Sequence, residues 1–146
     1  MIVGMGEGPA DIIDVAKRLR ALKVESIPVN FYLPIEGTSL SAQESNLTPD
    51  FVLRILCLFR FLNPQSDIRI AAGRELHLRS MEVMALYPAN SLFLQGYLNA
   101  KGNSNAHTLG MIKDAGFIIK SEIDLEELLG ETRMQLKTFK ELHPTL

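Results

Sequence analysis

The 146-residue chain is 47% hydrophobic and 22% charged, which excludes a disordered segment and supplies enough apolar material for one domain with a sizeable core. A formal net charge of -2 excludes a broad basic field, and with it nucleic acid as the main partner. No apolar run reaches membrane-span length, no basic-then-apolar export signal opens the chain, and one cysteine excludes an internal disulfide; the expected location is cytoplasmic, away from membranes.

Met1 to Val3 are apolar and strand-like with no preceding loop, as if the chain enters its fold partway. Gly4-Met5-Gly6-Glu7-Gly8-Pro9 follows as a glycine-rich turn. Ala10 to Leu22 reads as a helix, because Ile12, Ile13, Val15, Ala16, Leu19 and Leu22 recur as one apolar stripe. Ser26 to Leu33 is short, β-branched and aromatic, which predicts a strand closed by Pro34. Glu36 to Asn46 is a polar loop. Thr48-Pro49-Asp50 is a helix start, with a capping hydroxyl, a preset φ and an early acid. The helix runs to about Leu62 and is so apolar that coverage over much of its circumference is expected.

Asn63 and Pro64 stop that helix, and Asp67 to Ala72 reads as a buried strand. Gly73-Arg74-Glu75 is expected to turn into a helix from His77 to Tyr87, before a short strand from Ser91 to Leu94. This alternation predicts an α/β fold of parallel strand–helix units. Four strands fit an open sheet or half of an eight-stranded barrel, and pattern alone does not choose. Beyond Gly102 the chain predicts a short helix over Ala106 to Ala115, a brief strand or extended piece at Phe117 to Ile119, and a charged helix from Leu125 to about Leu142, packed on the outside or partly mobile.

Five places could carry chemistry. The Gly4–Glu7 turn is either a plain tight turn or a backbone contact for a ligand, since it lacks a phosphate-loop Lys-Ser/Thr pair. Asn30 inside a strand needs hydrogen-bond partners, from the protein or from a polar ligand. Arg69, in the middle of Asp67-Ile68-Arg69-Ile70-Ala71, cannot readily lose its charge, so it pairs with Asp67 on its own face or serves an interior site. Arg74, Glu75 and Arg79 lie just past that strand, as a surface salt-bridge group or as ligand-side residues at its carboxyl end. Cys57 falls in the apolar helix, where an inert buried thiol is expected.

Met1-Ile2-Val3-Gly4-Met5-Gly6-Glu7, Ile27-Pro28-Val29-Asn30, the run from Ile68 to Arg79, Leu86-Tyr87-Pro88-Ala89-Asn90-Ser91-Leu92-Phe93 and Gly96-Tyr97-Leu98 occur in the order and spacing of the later part of a biotin synthase. Over about residues 1 to 119 the chain thus resembles the C-terminal portion of that radical S-adenosylmethionine family, with residues 120–146 as a helical tail. The resemblance implies the second half of an eight-stranded TIM-type barrel with extra C-terminal helices. It implies sulfur insertion into dethiobiotin, with S-adenosylmethionine and a 4Fe–4S cluster generating the radical and a 2Fe–2S cluster supplying sulfur. It further implies Arg69 as a 2Fe–2S ligand and Asn30 as a dethiobiotin contact. Gly4, Met5, Gly6 and Glu7 would lie beside S-adenosylmethionine, with Arg74, Glu75 and Arg79 in support. The cluster cysteines of that family are absent, so the isolated chain is expected to be inactive. Its partner would be an N-terminal half-barrel carrying them, or a second copy in a homodimer. The competing expectations are a non-catalytic half-barrel that binds such a partner, and a related radical enzyme of thiamine or cofactor-maturation pathways.

Overall fold

Strand-forming residues alternate with helix stripes through the first two thirds of the chain, and the computed structural model follows that order. It describes residues 1–35, 37, 47–94, 96–97 and 100–120. β1 (Ile2–Val3), α1 (Pro9–Ala21), β2 (Ser26–Phe31), α2 (Pro49–Leu62), β3 (Asp67–Ile70), α3 (Arg74–Leu78), a 3-10 stretch (Arg79–Leu86) and β4 (Ser91–Leu92) come first. A two-stranded antiparallel hairpin, β5 (Gly96–Tyr97) and β6 (Ala100–Lys101), and then α4 (Asn105–Asp114) complete the described elements.

The first four strands form one parallel sheet in the order β1-β2-β3-β4. Each crossover carries helix, which parallel pairing requires. Val3, Ile27, Val29, Phe31, Ile68 and Ile70 are buried beneath Ile12 and Ala16 of α1 and Val52, Ile55, Leu56 and Phe59 of α2, with Leu78 and Ala85 extending the same core. The predicted α/β fold of parallel strands with flanking helices is therefore present.

Several local expectations change. α2 begins at Pro49, but the Thr48 hydroxyl does not cap it; that hydroxyl donates to the Asp50 carboxylate instead. α2 is covered over much of its circumference, as expected, with Phe59 fully buried and the open strip marked by Phe61, 82% exposed. Cys57 is half-exposed on this helix rather than sealed inside. The helix expected at His77 starts three residues earlier, at Arg74, and tightens to 3-10 geometry from Arg79, where φ is +52°. Phe117 to Ile119 join no strand, which leaves the extended alternative, and the β5–β6 hairpin was not foreseen. The charged helix expected from Leu125 to Leu142 lies outside the described residues.

Gly73 shows how tightly β3 is led into α3. Its φ is +85°, and a Cβ added there would sit 2.4 Å from the Phe31 carbonyl oxygen, so only glycine fits.

Candidate functional site

Side chains alternate across a strand. With Ile27, Val29 and Phe31 of β2 and Ile68 and Ile70 of β3 under the helices, Pro28, Asn30, Asp67 and Arg69 face the other way. Register places Ile2 beside Asn30, Pro28 beside Arg69, and Arg69 beside Ser91. Asn30 and Arg69 thus share one face on adjacent strands, with Asn30 nearer the carboxyl ends. Residues on this face are half-buried or exposed, and none of the described helices covers it.

The Asn30 amide bridges its neighbours. Its Nδ2 donates to the Met1 carbonyl at 3.2 Å and its Oδ1 accepts from the Ala72 amide at 3.2 Å. A carboxamide has two N–H donors and two acceptor lone pairs, so one of each remains. The protein has fixed the orientation of this side chain and kept half its hydrogen-bonding capacity.

Arg69 is oriented from two sides. Its Nε donates to Ser91 Oγ at 2.8 Å, and its guanidinium carbon lies 5.7 Å from the Phe93 ring centroid, within cation–π range. The ion pair with Asp67 does not form: Asp67 accepts from Asn90 Nδ2 at 2.7 Å. Among the described residues Arg69 faces no carboxylate partner within 4 Å, and its two terminal nitrogens are uncommitted.

The Gly4–Glu7 turn is closed on itself. Glu7 folds back so that its carboxylate accepts from the amides of Gly4 and Met5, the latter at 2.9 Å. Gly4 and Gly6 adopt φ of +99° and +111°, which accounts for the glycines by conformation alone. The two amides able to cradle an anion are already satisfied.

Arg74 departs most from a surface reading, at 1% exposed. Its Nε meets Glu82 at 2.6 Å, one terminal nitrogen donates to the Phe93 carbonyl, and the other reaches Glu75 at 2.9 Å and Thr108 Oγ1 at 3.4 Å. Asn103 completes the shell, donating from Nδ2 to Glu82 at 3.1 Å and from its amide to Glu75 at 3.3 Å. A buried guanidinium is tolerable only with its charge matched and its donors used, and both conditions hold. Arg79, by contrast, is exposed.

Three organising side chains escaped the sequence reading. His77 Nε2 lies 2.8 Å from the Tyr32 carbonyl, tying α3 to the exit of β2. Arg60 donates to the carbonyls of Pro88, Pro64 and Ser66 and to Asn90 Oδ1. Asn90 in turn accepts from the Ile68 amide at 2.9 Å. The available signal for Arg60 was a lone charge between two phenylalanines, Phe59 and Phe61. For Asn90 it was a side-chain amide just before a strand.

The model of the Biotin and Thiamin Synthesis associated domain matches residues 28–118. A biotin synthase of Leptospira interrogans serogroup Icterohaemorrhagiae serovar copenhageni (strain Fiocruz L1-130) is 51% identical over 146 residues, covering 98% of this chain and 41% of the relative. A biotin synthase of Magnetococcus marinus is 54% identical over 120 residues (82% of this chain, 37% of the relative), and one of Renibacterium salmoninarum 52% over 119 (82% and 35%). The chain thus spans about two fifths of the length of the curated relatives it matches. The matched model is that of an associated domain, not of a radical S-adenosylmethionine domain. This overturns the expectation that the chain is specifically the C-terminal portion of that radical enzyme, while kinship with biotin synthases stands. The cysteines for a 4Fe–4S or 2Fe–2S cluster are absent, Cys57 being the one cysteine of the sequence.

Proposed function

Because the chain belongs to the family of Biotin and Thiamin Synthesis associated domains, we propose that it is a non-catalytic half-barrel that contributes one wall of a biotin synthase site. Cysteine-bearing strands outside these 146 residues complete the ring. The observation that supports this reading is that Arg69 and Asn30 share, on adjacent strands, the sheet face that no described helix covers, with Asn30 one alternation nearer the carboxyl ends. Parallel sheets are normally covered on both faces, and a barrel meets that need by facing its bare side inward. On this reading residues 1–119 form the half-barrel unit.

The reaction in question is insertion of sulfur into dethiobiotin to give biotin. S-adenosylmethionine and a 4Fe–4S cluster supply the radical when bound, and a 2Fe–2S cluster the sulfur. Asn30 fits its share: the ureido ring of dethiobiotin offers a carbonyl and two N–H groups, which match the one donor and one acceptor that Asn30 retains. Arg69 fits as a nitrogen ligand to the 2Fe–2S cluster, because its terminal nitrogens are uncommitted and Ser91 and Phe93 fix its plane. If it held the cluster, Arg69 would do so as a neutral guanidine, its proton released to solvent before the completed strands screened the site. The Gly4–Glu7 turn does not fit as an amide cradle; a contact with S-adenosylmethionine there runs through the exposed Met5 side chain and the turn carbonyls. Nothing in the chain holds the 4Fe–4S cluster. Glu75 supports the wall through the Arg74 network, with Arg79 at its rim.

The test is co-expression with a cysteine-bearing biotin synthase segment that lacks this region. The expected result is a stable complex that converts dethiobiotin once iron, sulfide and S-adenosylmethionine are supplied, and whose turnover drops at least tenfold in Asn30→Ala. Failure of the two polypeptides to associate, or turnover by the 146-residue chain alone, overturns the reading.

A further inference from the structure

The largest fully buried side chain of the described core is a charged one, Arg74, and its partners lead to Arg69. One terminal nitrogen donates to the backbone carbonyl of Phe93, whose own amide donates to Ile70 at 3.0 Å. The Phe93 peptide flanks are therefore held from β3 on one side and from Arg74 on the other. The Phe93 ring then lies 5.7 Å from the Arg69 guanidinium carbon. Ser91, two residues earlier on the same segment, holds Arg69 Nε. The segment that touches Arg69 twice is thus pinned by Arg74.

We propose that Arg74 is a positioning residue for Arg69, acting through Phe93. Glu75, Glu82, Thr108 and Asn103 hold the Arg74 guanidinium in one place, and that rigidity passes through the Phe93 carbonyl to the ring that Arg69 lies over. Arg74 is not a catalytic residue, since it is 1% exposed and reaches Arg69 only through Phe93. The proposal rests on the functional reading only for its purpose, because the orientation of Arg69 is a property of this chain.

The experiment follows the Arg69 Nε–Hε resonance of the ¹⁵N-labelled full chain by NMR, assigned by its loss in Arg69→Lys. Phe93→Leu removes the ring and displaces the resonance. Arg74→Lys keeps charge and approximate length but cannot span four acceptors; the expected result is a displacement in the same direction, with faster hydrogen exchange. In the double variant the resonance moves no further than in Phe93→Leu alone, because both changes act through one ring. An unmoved Arg69 resonance in a folded Arg74→Lys chain overturns the proposal, even if its melting temperature falls. Should Arg74→Lys not fold, Glu82→Asp draws the guanidinium back from the Phe93 carbonyl, and the same displacement is required. The cluster reading is scored separately in the co-expressed complex, so the two can fail independently.

Discussion

At Gly73 a single missing methyl decides whether β3 can turn into α3. Alanine there would carry both an unfavourable φ of +85° and a Cβ 2.4 Å from the Phe31 carbonyl. Gly73→Ala should cost about 2–3 kcal/mol in urea unfolding. Gly116 has a similar φ of +79° but open space around it, so Gly116→Ala should cost only about 1 kcal/mol, the backbone term alone. Arg74 sets a larger scale. Arg74→Met leaves Glu82 and Glu75 facing each other without their cation, and a loss of about 3–5 kcal/mol is expected by the same measurement. The sequence announced that Arg74 was unusual only by its neighbourhood. Its burial is fixed by Phe93 and Thr108, 19 and 34 residues away, a distance over which no local pattern carries information. Asn30 and Arg69 were legible because a polar side chain inside an alternating apolar strand must face opposite to its neighbours, whatever the rest of the chain does.

α2 shows what a helix stripe does and does not say. Its apolar content predicted coverage over much of its circumference, which holds, but not which side stays open: Phe59 is buried and Phe61 exposed. Phe59→Ala should cost about 3–5 kcal/mol through the cavity it leaves, whereas Phe61→Ala should stay within about 0.5 kcal/mol; parallel denaturation curves check both. At the start of the same helix, the Thr48 hydroxyl is the main cause holding the Asp50 carboxyl below its ordinary range, with Arg54 adding to it. A folded-state value below the unfolded one contributes stability above the unfolded value that fades as pH falls through the folded one. The contribution should therefore be present above about pH 3.9 and disappear in more acidic solution. Asp50→Asn should flatten the acid limb of a stability–pH titration, modestly, since the group is largely exposed. The helices and central strands were placed from periodicity to within a few residues. The 3-10 stretch over Arg79–Leu86 was not, because the same apolar spacing suits an α-helix.

Across the whole molecule, the sheet is dressed on one side and ends in strands that pair only inward among the described residues. Unpaired edges and a bare face invite self-association. Sedimentation of the isolated chain should show concentration-dependent oligomers, reduced by Ile2→Lys at the exposed first strand; a strict monomer at all concentrations would count against an incomplete ring. The alternation of strands and helices along the chain was legible from the sequence, but neither their order in the sheet nor the state of its second face was. Alternation says which residues point away from the helices, and only a partner says what they meet.

One-sided dressing also leaves a calorimetric signature. Ordinary domains gain about 12–15 cal/mol/K per residue in heat capacity on melting, because unfolding wets apolar groups that were dry. Among the described residues, the outer layer of strand side chains is half-buried or exposed before the chain melts, so the step should fall toward the low end of that range. Capture of the complementary strands should then register as a negative heat-capacity change, a thermal fingerprint of the cavity closing that needs no turnover to be seen.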